Sequence, residues 1–151
     1  MKKITVLFIS LIIMASLTAC ANADNPAPDI ADEDKLTLKM EFDKNYDDAA
    51  PFVNEKLFTV SEDMETLIAE GTLNLNGESV ILEVKNNKTK TILWSSTWDK
   101  EVQSDTFSIS LKKVKSDEEY VVCLTGKKIN HAAVEITFDS NLVQEREKPL
   151  Q

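Results

Sequence analysis

One histidine and two cysteines in 151 residues exclude more chemistry than the abundant residues suggest. With His131 as the single imidazole, a metal site built on two or more histidines is impossible, and neither H-E-x-x-H nor G-x-S-x-G occurs. A nucleophilic triad would have to recruit His131 and one of many serines, and triads are defined by geometry rather than spacing. No 3.6-residue periodicity separates the extended runs, which excludes a parallel βαβ architecture. The N-terminal apolar stretch is shorter than the roughly 20 residues of a spanning helix.

What is present begins with that stretch. Lys2 and Lys3 make a basic start, Ile4 to Leu17 an apolar run, and small residues an exit, the three parts of a secretory signal. Leu17-Thr18-Ala19-Cys20 resembles the lipobox of bacterial lipoproteins. The resemblance implies a signal peptide over residues 1–19, cleavage before Cys20, and acylation of the Cys20 sulfur with palmitate-like chains. The domain would then be lipid-anchored on the extracytoplasmic side of the cell membrane. Buried acyl CH₂ groups at about 0.8 kcal/mol each suffice for such an anchor. A plain secreted protein is the alternative. Ala21 in place of an acidic residue leaves both Gram-positive and Gram-negative envelopes open.

With Cys20 occupied by lipid, Cys123 has no partner for an intrachain disulfide, so the fold must rest on its core. Cys123 lies in Glu119-Tyr-Val-Val-Cys-Leu124 and is expected to be a small buried hydrophobe. The chain holds 26 acidic against 17 basic residues, a net charge of −9, and loss of Lys2 and Lys3 with the signal makes the remainder more acidic. That sign disfavours nucleic acid and anionic headgroups. Solvation accounts for it, with cations or a basic partner as the functional alternative.

Residues 20–34, with Pro26 and Pro28 and few apolar side chains, are expected to form a tether behind the lipidated cysteine. From Leu36 the pattern changes to alternation: Leu36, Leu38, Met40 and Phe42 share one face of a strand, and an acidic loop is expected from Asp43 to Glu55. A piece around Phe58 and Val60 follows. Asn76-Gly77, between the run Leu67 to Leu75 and the run Val80 to Val84, has the composition of a two-residue hairpin turn. Asn86-Asn87 marks a further turn. Ile92 to Trp98, Phe107 to Leu111, Tyr120 to Leu124 and, after a turn near Gly126, Ala132 to Phe138 complete the set. These runs predict an all-β, antiparallel sandwich of about seven or eight strands over residues 35–139, with a polar tail at 140–151.

Tyr120, entering a penultimate strand after Ser116-Asp-Glu-Glu119, resembles the strand F entry of immunoglobulin-like domains. The resemblance implies an immunoglobulin-like sandwich in which this tyrosine bonds back across the corner, with Trp94 as core. The chain as a whole resembles small bacterial lipoproteins of unassigned function carrying one such domain, from which no activity carries over. Thr91-Ile-Leu-Trp94 is similar to a stretch of sandwich-type bacterial proteinase inhibitors, a likeness of fold.

Three groups are candidates for chemistry. Asp43, Asn45 and Asp47 offer oxygens at alternate positions suited to calcium, although an acidic turn has the same composition. Trp94 and Trp98 share parity, so core packing is expected of both; Trp98, beside Asp99 and Lys100, would be a partner-binding anchor if exposed. His131 falls on the outward face with Glu135. No catalytic residue is assigned. The expected function is a non-catalytic binding or envelope-interaction module with a protein partner; calcium binding, proteinase inhibition and hydrolysis are the alternatives.

Overall fold

The computed structural model describes residues 35–46 and 51–147, with backbone alone at 43–46. Alternating apolar residues, β-branched and aromatic in large part, form seven strands: β1 (Thr37–Tyr46), β2 (Phe52–Val60), β3 (Met64–Asn86), β4 (Ile92–Trp98), β5 (Val102–Val114), β6 (Tyr120–Phe138) and β7 (Val143–Arg146). Every pairing is antiparallel. The expected all-β architecture is what forms.

β3 and β6 are long, at 23 and 19 residues, and pair with each other from Ala69↔Phe138 to Asn86↔Tyr120. Extended, β6 would span about 60 Å at roughly 3.3 Å per residue. Yet the rings at its two ends, Tyr120 and Phe138, both lie against Phe58, at 5.3 and 4.8 Å. The two strands therefore fold back on themselves together. One layer has the order β5, the first half of β3, the second half of β6, β1. The other has β4, the second half of β3, the first half of β6, β2, β7. Between the layers lies one core, including Leu38, Phe42, Phe58, Leu73, Leu82, Ile109, Leu124 and Ile136, each at most 1% exposed.

The fold line crosses β3 at Asn76–Gly77 and β6 opposite it, where the register slips (Asn76↔His131, then Gly77↔Ile129). Lys128 there has φ 50° and Gly77 φ 156°. Asn76-Gly77 is thus a bend within a continuous strand and not the hairpin turn its composition predicts; the extra residue of the slip, Asn130, is a bulge on β6, a few residues past the turn expected near Gly126. A β-bulge needs the same permissive backbone as a tight turn. Asn130 Nδ2 donates to Asn76 Oδ1 at 2.9 Å, and Lys128 meets Glu78 at 2.8 Å, tying the two bends together. The true hairpin is at Asn86, whose side-chain oxygen accepts from the N–H groups of Lys88 and Thr89 at 3.0 and 2.9 Å. Three boundaries also move. The backbone of Asp43 to Tyr46, expected as loop, continues β1, and Phe52 to Glu55, expected in the same loop, begin β2. The tail expected from residue 140 supplies β7, whose Val143 is buried in the core.

At the end opposite the fold line three crossovers close the sandwich. Asp63 accepts from Ser116 N at 2.9 Å, Ser116 Oγ at 3.0 Å and Lys115 Nζ at 2.7 Å. Tyr120 accepts from Lys115 N at 2.7 Å and donates to Glu118 at 2.9 Å, the corner bond that the immunoglobulin-like resemblance implies. Burial pushes the Tyr120 hydroxyl up to about 12. The Lys115 ammonium, with the two Ser116 donors, holds Asp63 down at about 2, from 3.8. A carboxylate depressed on folding adds stability that is present above 3.8 and lost as pH falls toward 2. Melting temperature followed between pH 5 and 2 is therefore expected to fall less steeply in Asp63→Asn than in the parent, with the two curves converging at the acid end.

Candidate functional site

Strand parity sends one set of residues of the first layer outward. Rows run across its four strands: Thr37, Thr137, Glu70, Ser108; then Lys39, Glu135, Thr72, Thr106; then Glu41, Ala133 and Asn74; then His131 beside Asn76. No large apolar side chain stands among them, and the middle of the face is set by Thr72, Asn74 and Ala133. Such small residues between longer ones leave hollows. Three adjoin along the strands: about 260 Å³ around Glu70, Thr72, Thr106 and Glu135, about 250 Å³ around Lys39, Glu41, Asn74 and Ala133, and about 190 Å³ around Asn76, Glu101, Gln103 and His131. Thr72 and Glu135 are shared by the first two and Asn74 by the last two.

The rim is mainly acidic. Lys39 meets Glu135 at 3.1 Å, and Thr37 and Thr137 exchange a hydroxyl bond of 2.9 Å. His131 stands with Nδ1 3.9 Å from Glu41 Oε1, its side chain 42% exposed. The outward position expected for His131 is the one observed, with a carboxylate beside it. Glu41, Glu70 and Glu101 complete the carboxylates of the groove, an arrangement that offers hydrogen-bond acceptors to a polar or basic ligand. A larger hollow, about 650 Å³, lies at the β2–β7 edge. It is lined by Lys56 and Glu145, paired at 2.7 Å, and its wall ends at Glu147, the last described residue.

The other sequence candidates fall elsewhere. Cys20 and Asp47 lie outside the described residues, and Asp43 and Asn45 contribute described backbone only, with Asp43 opposite His131 in the ladder. Among the described residues no three His, Cys, Asp or Glu side chains are grouped to hold a metal ion. Trp98 is 9% exposed and donates from Nε1 to Asp105 Oδ2 at 2.6 Å, so it is core and not an exposed anchor. An indole at a strand end buries its face and sends its single donor to a nearby carboxylate. Trp94 is half-buried and stacks on Phe107 at 5.8 Å. Cys123 is buried as expected, which raises its thiol pKa. Of the groove residues, Glu135 is marked outward beside His131 by the sequence, whereas Thr72 and Asn74 are not singled out, although their outward parity is visible in the alternating runs.

Fold and face define a small antiparallel β-sandwich with an open groove, bordered by polar and charged residues, across one layer. The chain belongs to the family described as domain of unknown function DUF4624, which matches residues 24–150. No curated protein matches it.

Proposed function

We propose that this protein is a lipid-anchored, extracytoplasmic binding module, and that its ligand face is the groove across the first layer. The observation that carries the reading is the run of three adjoining hollows floored by Thr72, Asn74 and Ala133, on a domain whose interlayer space is filled by core. Open, and bordered by polar and charged residues, the groove suits an extended protein surface better than a small apolar ligand, which would want an enclosed apolar pocket. Its carboxylates favour a partner with basic groups. The anchor rests on the lipobox, Leu17-Thr18-Ala19-Cys20, with residues 20–34 as the tether. Binding without catalysis is the reading favoured by a single imidazole on an open face.

Cys20→Ala is expected to abolish incorporation of labelled palmitate and to move the protein out of the membrane fraction. An alanine variant that stays labelled and membrane-bound would overturn the anchor. Calcium binding at Asp43, Asn45 and Asp47 is the competing reading of the groove's His131 end, where Asp43 pairs with His131. A calcium-dependent rise in melting temperature that Asp43→Ala removes would favour it.

A further inference from the structure

The edges of the sandwich are unequally guarded. An edge strand presents unpaired N–H and C=O groups, and charged side chains, proline or irregular backbone normally keep it from pairing with another chain. On one side, β1 carries exposed Lys39 and Glu41, and β7 carries exposed Glu145 and Arg146. On the other, β5 pairs with β3 alone among the described residues. Between two positive-φ residues, Ser104 and Lys113, β5 runs in unbroken register with β3 from Asp105 to Lys112.

The two charges that bound this segment are turned onto their own molecule. Asp105 accepts from Trp98 Nε1 at 2.6 Å, and Lys112 Nζ donates to Thr66 Oγ1 at 2.9 Å. Between them stands Thr106-Phe107-Ser108-Ile109-Ser110-Leu111, without charge or proline, with small hydroxyls on the outer face and apolar residues toward the core. Phe107 is only partly buried beneath Trp94 and Trp98. β4, on the same side, is also uncharged but has only seven residues and a register break opposite Val84–Lys85.

We infer that β5 is a homotypic docking edge, where a second copy of this chain adds its own β5 antiparallel about a twofold axis through Ser108. The segment is self-complementary in that register. Ser108 meets Ser108, Phe107 meets Ile109, Thr106 meets Ser110, and Asp105 meets Leu111, so no like charges oppose one another. A second copy is favoured over an unrelated strand by this near-symmetry of the sequence about Ser108. The seven residues Asp105 to Leu111 make a ladder of about 24 Å, joining two four-stranded layers into one eight-stranded sheet. The net charge of −9 opposes association of two copies, and screening over about 8 Å at physiological salt limits that opposition.

Cysteine crosslinking of the full chain in its membrane tests the pairing. Residues facing each other across an antiparallel pair have Cα atoms about 4.5–5.5 Å apart, within disulfide reach. Under mild oxidation Ser108→Cys is expected to give a covalent dimer on a non-reducing gel, with about tenfold less from Lys39→Cys on the guarded edge. Sedimentation equilibrium of the detergent-solubilised parent chain is expected to show a dimer that Ser108→Lys converts to monomer at unchanged melting temperature. A parent chain that stays monomeric at high micromolar concentration, or crosslinking at Ser108 no greater than at Lys39, would overturn the inference.

Discussion

Phe58→Ala is expected to destabilise the protein by about 4 kcal/mol, within the range for removing a buried phenyl ring. At roughly 4 °C per kcal/mol for a domain of this size, the melting temperature falls by about 15 °C. The ring is fully buried and is the point where the folded-over sheet closes. It stacks on Tyr120 of one layer and tilts against Phe138 of the other. Truncation leaves a cavity between the two ends of β6 and removes two aromatic contacts beyond the lost area. Thermal unfolding followed by circular dichroism reads the effect. A loss below about 0.5 kcal/mol, the scale of an ordinary surface change, would mean that the layers do not close on this residue.

The second large effect is expected at the fold line. Gly77 has φ 156°, and a Cβ added there would lie 2.7 Å from the Lys128 carbonyl oxygen and 2.9 Å from Ile129 Cα. Both contacts are to backbone of the opposite bend, which cannot step aside without opening the β3–β6 ladder. Strain for a side chain at such a φ is about 1–3 kcal/mol, and the backbone contacts add to it. Gly77→Ala is therefore expected to cost about 3 kcal/mol, read as a fall in the denaturant midpoint. A neutral alanine would show that β3 does not bend there.

The alternation of Leu38, Met40 and Phe42, of Val80, Leu82 and Val84, and of Val134, Ile136 and Phe138 makes the strands and their buried faces legible in the sequence. What alternation does not carry is which strand lies beside which. In β3 the inward positions switch from odd (Leu73, Leu75) to even (Val80, Leu82) across Asn76-Gly77. A two-residue hairpin produces that switch, and so does a strand that bends at Asn76-Gly77 beside a bulge of its partner; both draw on the permissive backbone of Asn and Gly. Only the pairing of β3 with β6, whose partners at the bend are more than 50 residues apart in sequence, decides between them. β7 escaped notice because a single apolar residue, Val143, anchors its four-residue strand.

The groove was half legible for a related reason. Outward parity marks Thr72, Asn74 and Glu135 as surface, but their convergence depends on the sheet order β5, β3, β6, β1, which is non-local. Trp98 shows the reverse limit. Its parity with Trp94 predicts core packing while its neighbours Asp99 and Lys100 leave exposure open, and Asp105, seven residues on, supplies the acceptor that lets the indole stay buried.

The central proposal, that the groove of the first layer is the ligand face, is tested most directly by crosslinking in intact cells with the protein tagged after Gln151. The parent chain is expected to capture a discrete envelope partner. Thr72→Arg, which places a bulky cation on the groove floor at an exposed strand position, is expected to reduce that capture about tenfold while leaving the melting temperature unchanged. Undiminished capture by a folded Thr72→Arg variant would contradict the account.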